Sequence, residues 1–293
     1  MSFKSGFATI IGRTNVGKST LVNKILKQKV IIVTDKPQTT RNKISAIYND
    51  EDSQIVFLDT PGVHKPKNEL SKRLMSTTKR TLNEVDVVIF MIDSSLQIGP
   101  GDKYILDILK TVKKPIILAI NKIDLINKSE LIQIVRKYER YDFIKEIVDI
   151  SALNGQNVNN LINKVKGFLS EGPKYYPQDM FIDQPVKTIV SEFIREKALM
   201  YLQQEVPHGV LVRIDNYKER ENKDLIDIDA TIICEKNSHK GIIIGKGGRK
   251  IKGIGKAARE DIEKLVGVKV NLQLWVKVVK NWRNNPNYID NSY

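Results

Sequence analysis

The stretch that decides the fold is Gly12-Arg13-Thr14-Asn15-Val16-Gly17-Lys18-Ser19, preceded by the apolar run Phe7-Ala8-Thr9-Ile10-Ile11 and followed by Thr20-Leu21-Val22-Asn23-Lys24. It fits G-x-x-x-x-G-K-[ST] in the order strand, glycine-rich turn, helix, and each part of that spacing has a physical purpose. Backbone N–H groups along Asn15, Val16, Gly17, Lys18, Ser19 and Thr20 turn inward on phosphate oxygens. Lys18 adds a positive charge at the β and γ positions, and the Ser19 hydroxyl can ligate Mg²⁺.

Outward from this turn, short apolar runs alternate with amphipathic stretches, the pattern of a mostly parallel α/β sheet with helices on both faces. Strands are predicted at Phe7–Ile11, Ile44–Tyr48, Ile55–Leu58, Val87–Ile92, Ile116–Ile120 and Ile147–Ile150. Only Asn49-Asp50-Glu51-Asp52-Ser53-Gln54 separates the second from the third, too little for a helical crossover, so that pair should be an antiparallel hairpin.

Three further segments fall at the sheet edge where such folds bind ligands. Asn121-Lys122-Ile123-Asp124 follows the strand Ile116–Ile120, and an Asp there can accept from the N1–H and exocyclic amine of guanine, donors that adenine lacks on that edge. Ser151-Ala152 follows the last strand, where its backbone can meet the guanine oxygen, although a serine there is equally a good helix cap. Asp59-Thr60-Pro61-Gly62 ends the third strand. Its carboxylate can hold Mg²⁺ through water, and the Gly62 N–H can bond the γ-phosphate and be released on hydrolysis. Between the first helix and the hairpin, Lys36-Pro37-Gln38-Thr39-Thr40-Arg41 suits a switch loop that orders when a threonine hydroxyl reaches the metal.

From Ser170 to Pro185 the chain holds three prolines and no periodicity, and reads as a linker. The expected division is a nucleotide domain over residues 1–172, a linker over 173–185 and a smaller α+β domain over 186–293. In the last, the pattern predicts a helix from Ser191 to Gln203, strands at Gly209–Tyr217 and Ile226–Cys234, two short helices between Gly241 and Leu265, and a strand at Val268–Val279. Gly245-Lys246-Gly247-Gly248 fits the GxxG loop with which KH domains clamp a nucleic-acid backbone. Arg249 and Lys250 extend it, and residues 236–259 hold eight Lys or Arg and no acid. The alternative for such a run is a solvated basic face. Trp275 and Trp282 read as packing residues rather than base-stacking platforms.

Composition agrees with this division. The 293 residues carry 48 Lys plus Arg against 34 Asp plus Glu, a net charge of +14 that favours a polyanionic partner. The single cysteine, Cys234, excludes an internal disulfide and reads as a buried thiol in a reducing cytosol. No run approaches the roughly 18 apolar residues of a membrane span, and no signal-peptide pattern precedes the first strand. His64, His208 and His239 lack metal-ligand spacing.

The motifs GRTNVGKSTLVNK, KPQTTRNK, FLDTPGVHKPKNEL, NKID and SAL, taken in order, place residues 6–170 close to the translation-factor-related P-loop GTPases. With IIGKGGRKIK and VNLQLWVKVVKNW the chain resembles, over essentially its whole length, the Era family of bacterial ribosome-assembly GTPases, which carry a C-terminal KH domain. The resemblance implies a GTPase with GTP/GDP and Mg²⁺. Lys18 and the loop amides would lie on phosphate, Ser19 and Thr40 on the metal, Asp59 on it through water, and Asn121, Lys122 and Asp124 on guanine. Thr39 competes with Thr40 for the metal; the threonine before Arg41 matches the family better. Lys18, Thr40 and Gly62 are then the catalytic candidates. Val63 stands where many GTPases place a water-orienting glutamine. Resemblance to GTPases with asparagine at the place of Asn15 implies K⁺ against the phosphates instead; the alternative is a loop-stabilising Asn15.

The family further implies small-subunit ribosomal RNA and the small ribosomal subunit as partners, with no stable oligomer required. It places the protein in the cytoplasm, with peripheral contact to the inner face of the cell membrane an open option. Two rival readings are an RNA-modification or transport-linked GTPase, and a non-catalytic RNA-binding protein that uses nucleotide only as a ligand.

Overall fold

A computed structural model describes residues 2–32, 45–59, 78, 80–202, 210–221 and 223–282. The chain divides into two units, Met1–Lys29 with Thr40–Asp183, and Val30–Thr39 with Gln184–Tyr293.

The first unit is built on β1 (Lys4–Ile11), β2 (Ser45–Asn49), β3 (Ser53–Asp59), β4 (Val87–Ile92), β5 (Ile116–Ile120) and β6 (Ile144–Asp149). Among them lie α1 (Lys18–Leu26), α2 (Pro100–Leu109), α3 (Lys128–Tyr138) and α4 (Val158–Gly167). The sheet order is β2-β3-β1-β4-β5-β6, parallel except for the β2–β3 hairpin, which pairs Ser45 with Leu58 and Asn49 with Gln54. Every residue of β4 and β5 is buried, as central strands covered on both faces must be. Phe90, Leu106, Leu118, Ile134 and Tyr138 pack in the core beside them. Chain order reverses across β1, which has β3 on one side and β4 on the other, and the glycine-rich turn leaves β1 at that switch point. The last strand runs Ile144–Asp149, earlier than the expected 147–150. Its first residues, exposed Lys145 between half-buried Ile144 and Glu146 at the sheet edge, hid its start.

The proline-rich segment is no free tether. Gln54, fully buried on β3, accepts from the backbone N–H groups of Tyr175 (2.7 Å) and Tyr176 (3.0 Å) and donates to the Tyr176 carbonyl oxygen (2.9 Å). Further along, Ile47 N–H donates to Phe181 O (3.0 Å), Asp183 N–H to Ser45 O (2.9 Å) and Asn49 Nδ2 to Met180 O (3.0 Å). Prolines break helix periodicity, but they leave the neighbouring N–H groups free to pair along an edge strand.

The second unit comprises α5 (Val186–Tyr201), β7 (Leu211–Glu219), β8 (Leu225–Cys234), α6 (Asn237–Ile244), α7 (Arg249–Val266) and β9 (Lys269–Val278). Its sheet order is β7-β8-β9, with the first pair antiparallel and the second parallel. α5 begins five residues before the expected Ser191, directly after Pro185, a residue suited to a helix start. Buried charges obscured its pattern: Arg195 and Glu196 are each 1% exposed, and Arg195 Nε donates to Glu192 Oε1 at 2.9 Å.

The second of the two expected short helices is instead 18 residues long. Gly253 and Gly255 lie inside it. At Gly253 a Cβ would sit 2.7 Å from the Tyr201 ring, so the glycine admits α5 against α7 rather than ending the helix. Trp282 is fully buried as expected, but Trp275 is 48% exposed. The alternation of β9 puts Lys269, Asn271, Gln273, Trp275 and Lys277 together on the open face.

Candidate functional site

The turn after β1 is shaped by what passes behind it. A Cβ on Gly12 would lie 2.3 Å from the Met91 carbonyl oxygen of β4, so only glycine fits there. Asn15 (φ 66°) and Gly17 (φ 106°) are both left-handed, which turns the loop back toward α1. Gly17 also caps α1. No side chain caps that helix and no acid stands in its first turn, so its leading N–H groups keep their affinity for an anion. Lys18 lies folded over the loop and is 9% exposed. Its Nζ donates to the carbonyl oxygens of Gly12 (3.1 Å) and Arg13 (2.6 Å), holding the charge where phosphate would meet the amides. Ser19 and Thr20 stand half-buried in the first turn, and the Ser19 hydroxyl has no hydrogen bond among the described residues.

The residues present therefore fit a nucleotide phosphate with its metal: an uncapped helix end, a tethered lysine, an available hydroxyl, and a turn packed so closely on Met91 and Asn121 that a Cβ at position 12 or 17 would displace it. Asp59 ends β3 opposite Ile10 of β1, beside the turn. Thr39, Thr40, Gly62 and Val63 lie outside the described residues.

Asn121 directly follows β5. It is 3% exposed, and its amide is engaged at both ends: Nδ2 donates to Val16 O (2.7 Å), and Oδ1 accepts from the Ala152 N–H (2.8 Å). One buried side chain thus braces the phosphate turn and the 151–152 loop together. The Ala152 N–H is thereby held by the same amide that holds the phosphate turn. Ser151 is likewise occupied in shaping its loop. Its hydroxyl accepts from Asn154 N–H (3.2 Å), and its carbonyl from Gly155 N–H (2.7 Å). Lys122 adopts a left-handed conformation (φ 66°), which swings the chain into a single 3-10 turn carrying Asp124. That carboxylate is exposed and has no hydrogen bond or ion pair among the described residues.

Sequence reasoning missed a second brace. Arg13 bridges the phosphate turn to two acids, with Nε on Asp102 Oδ1 (2.8 Å) and Nη2 on Asp93 Oδ1 (2.9 Å). Burial at the start of α2 pushes the Asp102 carboxyl up despite Arg13. Asp93 is held below its ordinary range: burial opposes its charge, but hydrogen bonds from Ser95 and the charge of Arg13 outweigh it. Arg13 occupies a variable position of the glycine-rich motif, so no motif could have found it.

In the second unit, the glycine loop sits between α6 and α7. Gly245, Gly247 and Gly248 all have positive φ (71°, 61° and 73°), and neither Gly247 nor Gly248 would meet an atom within 4 Å if given a Cβ. The strain thus comes from the backbone, and the space beside the loop is open. Lys246 and Arg249 are exposed and Lys250 is half-buried. Cys234 is buried, its thiol near the Lys236 and Lys277 carbonyls (both 3.6 Å), and burial pushes its pKa up.

With this geometry in view, the chain is 60% identical to GTPase Era of Alkaliphilus oremlandii over 98% of its own length and 97% of that protein's. The chain belongs to the Era family of GTPases. It is also 55% identical to GTPase Era of Clostridioides difficile, over 99% of this chain and 98% of that one. Residues 7–122 match the family described as 50S ribosome-binding GTPase, and residues 205–283 match the KH domain family, a span that begins after α5. Two solved Era structures overlay nearly the whole chain. A point variant of Aquifex aeolicus Era bound to GDP·AlF4⁻ gives a TM-score of 0.94 at 38% identity, covering 98% of both chains. Era in complex with MgGDPNP and nucleotides 1506–1542 of 16S ribosomal RNA gives 0.93 at 40%, with the same coverage. The chain is a GTPase with a P-loop domain and a KH domain, and guanine nucleotide with Mg²⁺ is what its family binds.

Proposed function

We propose that this GTPase binds small-subunit ribosomal RNA and times a step in assembly of the small ribosomal subunit. The observation that carries the reading is one chain holding an uncapped, lysine-tethered phosphate cradle and an open, basic glycine loop. A relative alike over 98% of both chains holds MgGDPNP and 16S ribosomal RNA. The description of the first-unit family points to the 50S subunit, but that match ends at residue 122, whereas the 16S complex covers the KH half as well.

In this reading Asp124 accepts from the guanine N1–H and amine, while Asn121 keeps the loops that flank the base in register. Lys18 and the N–H groups of residues 15–20 bind the phosphates and meet the charge that grows on the γ-phosphoryl oxygens. Ser19 and Thr40 would hold Mg²⁺ directly and Asp59 through water; the ion would supply positive charge against the phosphates. Gly62 would bond the γ-phosphate by its N–H and let go after hydrolysis, so that the two switch loops order with GTP and relax with GDP. Val63 cannot orient water, and K⁺ held at Asn15 would supply charge in its place. The protein would work in the cytoplasm without needing an oligomer. No helix among the described residues is long and apolar enough to cross a membrane.

The test is turnover of GTP measured in K⁺ and in Na⁺, alongside binding of a 16S 3′-terminal fragment in the GTP-analogue and GDP forms. A faster rate in K⁺ and tighter RNA binding in one nucleotide form are expected. Equal rates in both salts would remove the cation from the mechanism, and RNA affinity blind to nucleotide would remove the switch.

A further inference from the structure

The basic character of the glycine loop continues along α7. Lys252, Lys256 and Arg259 follow at i, i+4 and i+7, which sets them on one stripe, and all three are exposed while Ile254, Ala258 and Ile262 are buried behind them. With Lys246 and Arg249 they form a row of five exposed cations. From Arg249 to Arg259 the row runs about 15 Å at the rise of an α-helix.

Several surface cations elsewhere are neutralised by an acid. Lys110 pairs with Asp107, Lys166 with Asp52, Arg220 with Asp227 and Lys269 with Glu263. Lys246, Lys252 and Lys256 make no hydrogen bond or ion pair among the described residues, Arg259 makes none but lies near enough to Glu263 to help hold that carboxyl down, and Arg249 only turns its Nε to the Lys246 carbonyl (3.3 Å). The row also opposes the preferences of its own helix. α7 has no acid in its first turn but Arg249, Lys250 and Lys252 near its positive end, and Lys252 faces the like charge of Lys256 one turn on. A helix shaped by stability alone would carry acids there.

We propose that this stripe is a track for the RNA backbone where the strand leaves the glycine loop, so that the RNA footprint extends past the loop along the outer face of α7. The proposal rests on the reading that the loop clamps RNA, and it adds the direction in which that contact continues. The face suits phosphates rather than a lipid surface. No large apolar side chain is exposed on α7, and a membrane-lying helix needs such residues beside its cations.

The experiment uses the full chain with Lys252→Gln, Lys256→Gln and Arg259→Gln combined, since glutamine preserves helix propensity at exposed sites. Two single-stranded RNAs are compared, one just filling the loop and the same strand lengthened at either end. The lengthened strand should bind wild type more tightly, and the triple variant should lose that gain, roughly ten-fold at low salt. The dependence of log affinity on log salt should become shallower by about 0.7 for each lost contact. Affinity for the short strand should stay unchanged. An unaltered affinity for the lengthened strand overturns the proposal. So does an equal loss for both strands, and so does a variant that keeps RNA but no longer binds phosphatidylglycerol vesicles. Gly247→Asp serves as the separate control. If it weakens neither RNA, the reading of the loop fails, while the stripe is still judged by the triple variant alone.

Discussion

Asn121 and Arg13 show how few side chains hold the nucleotide site in shape. Asn121 serves two loops with one amide, and Arg13 fastens the phosphate turn to β4 and α2 through Asp93 and Asp102. The Asp102 side chain is only 2% exposed, so removing its cation leaves a buried acid alone. Arg13→Ala should therefore cost about 2–3 kcal/mol of stability, at or below the low end for a broken buried pair because Arg13 itself is partly solvated. Adding Asp102→Leu should recover much of that loss. Denaturant melts of the double-mutant cycle measure the coupling, and strictly additive losses would show that the pair is idle. Asp124 belongs to the opposite kind of residue, exposed and uncommitted. Asp124→Asn should lower GTP affinity on the order of 10⁴-fold and favour xanthine nucleotides, because an amide puts a donor where guanine needs two acceptors. Competition binding with GTP and XTP decides it, and a variant that still prefers GTP would move base recognition elsewhere. The motif made Lys18, Ser19 and Asp124 legible. It could not reveal that Asn121 faces inward or that Arg13 is anchored, since both depend on residues 31 to 105 positions away.

The alternation of apolar runs gave the strands and the hairpin, because each strand had to be buried on at least one face. What it could not give was how the segment after α4 would lie, since the edge pairing of residues 171–183 runs through backbone groups and the side-chain amides of Gln54 and Asn49. The hairpin turn is tied down as well. Asp50 accepts from the hydroxyls of Ser53 (2.7 Å) and Tyr48 (2.9 Å) and pairs with Lys166, which also reaches Asp52 (2.7 Å). Burial works against the Asp50 charge, but Lys166 and these hydroxyls outweigh it and hold the carboxyl far below the usual range. A carboxylate whose folded pKa is depressed contributes stability that is present above its unfolded value, near 4, and lost as pH falls toward the folded value. Asp50→Asn should thus melt below wild type at neutral pH, with the gap in Tm narrowing as pH drops under about 4. A gap that stays constant from neutral pH to pH 3 would mean that the charge contributes nothing. In the second unit, the pattern predicts two short helices between Gly241 and Leu265, whereas α7 runs unbroken through Gly253, where the Tyr201 ring leaves no room for a side chain.

Across the whole molecule, the two activities are built from different kinds of material. The nucleotide site assembles turns from β1, β5 and β6 around one helix end, all within the first unit, whereas the glycine loop and its cations lie in the second. This separation makes the consequences of a lesion assignable. Replacing Lys246 and Gly247 by aspartates puts negative charge and side-chain bulk into open space at a loop that backbone phosphates would have to approach. Gly247 has φ 61°, a conformation asparagine and aspartate tolerate better than most residues, so the loop should keep its shape and α7 its start. RNA affinity should fall by at least ten-fold, nearly independent of sequence for nonspecific strands, and its salt dependence should flatten because fewer counterions are released. GTP turnover without RNA should remain within two-fold of wild type, roughly the limit at which no transition-state contact has been lost. Filter binding across a salt series, paired with phosphate release, reads both quantities on one preparation. Unchanged RNA affinity would reduce the glycine loop to a structural turn. A fall in RNA-free turnover would mean that the second unit takes part in hydrolysis itself, and the division of labour between the units would have to be given up.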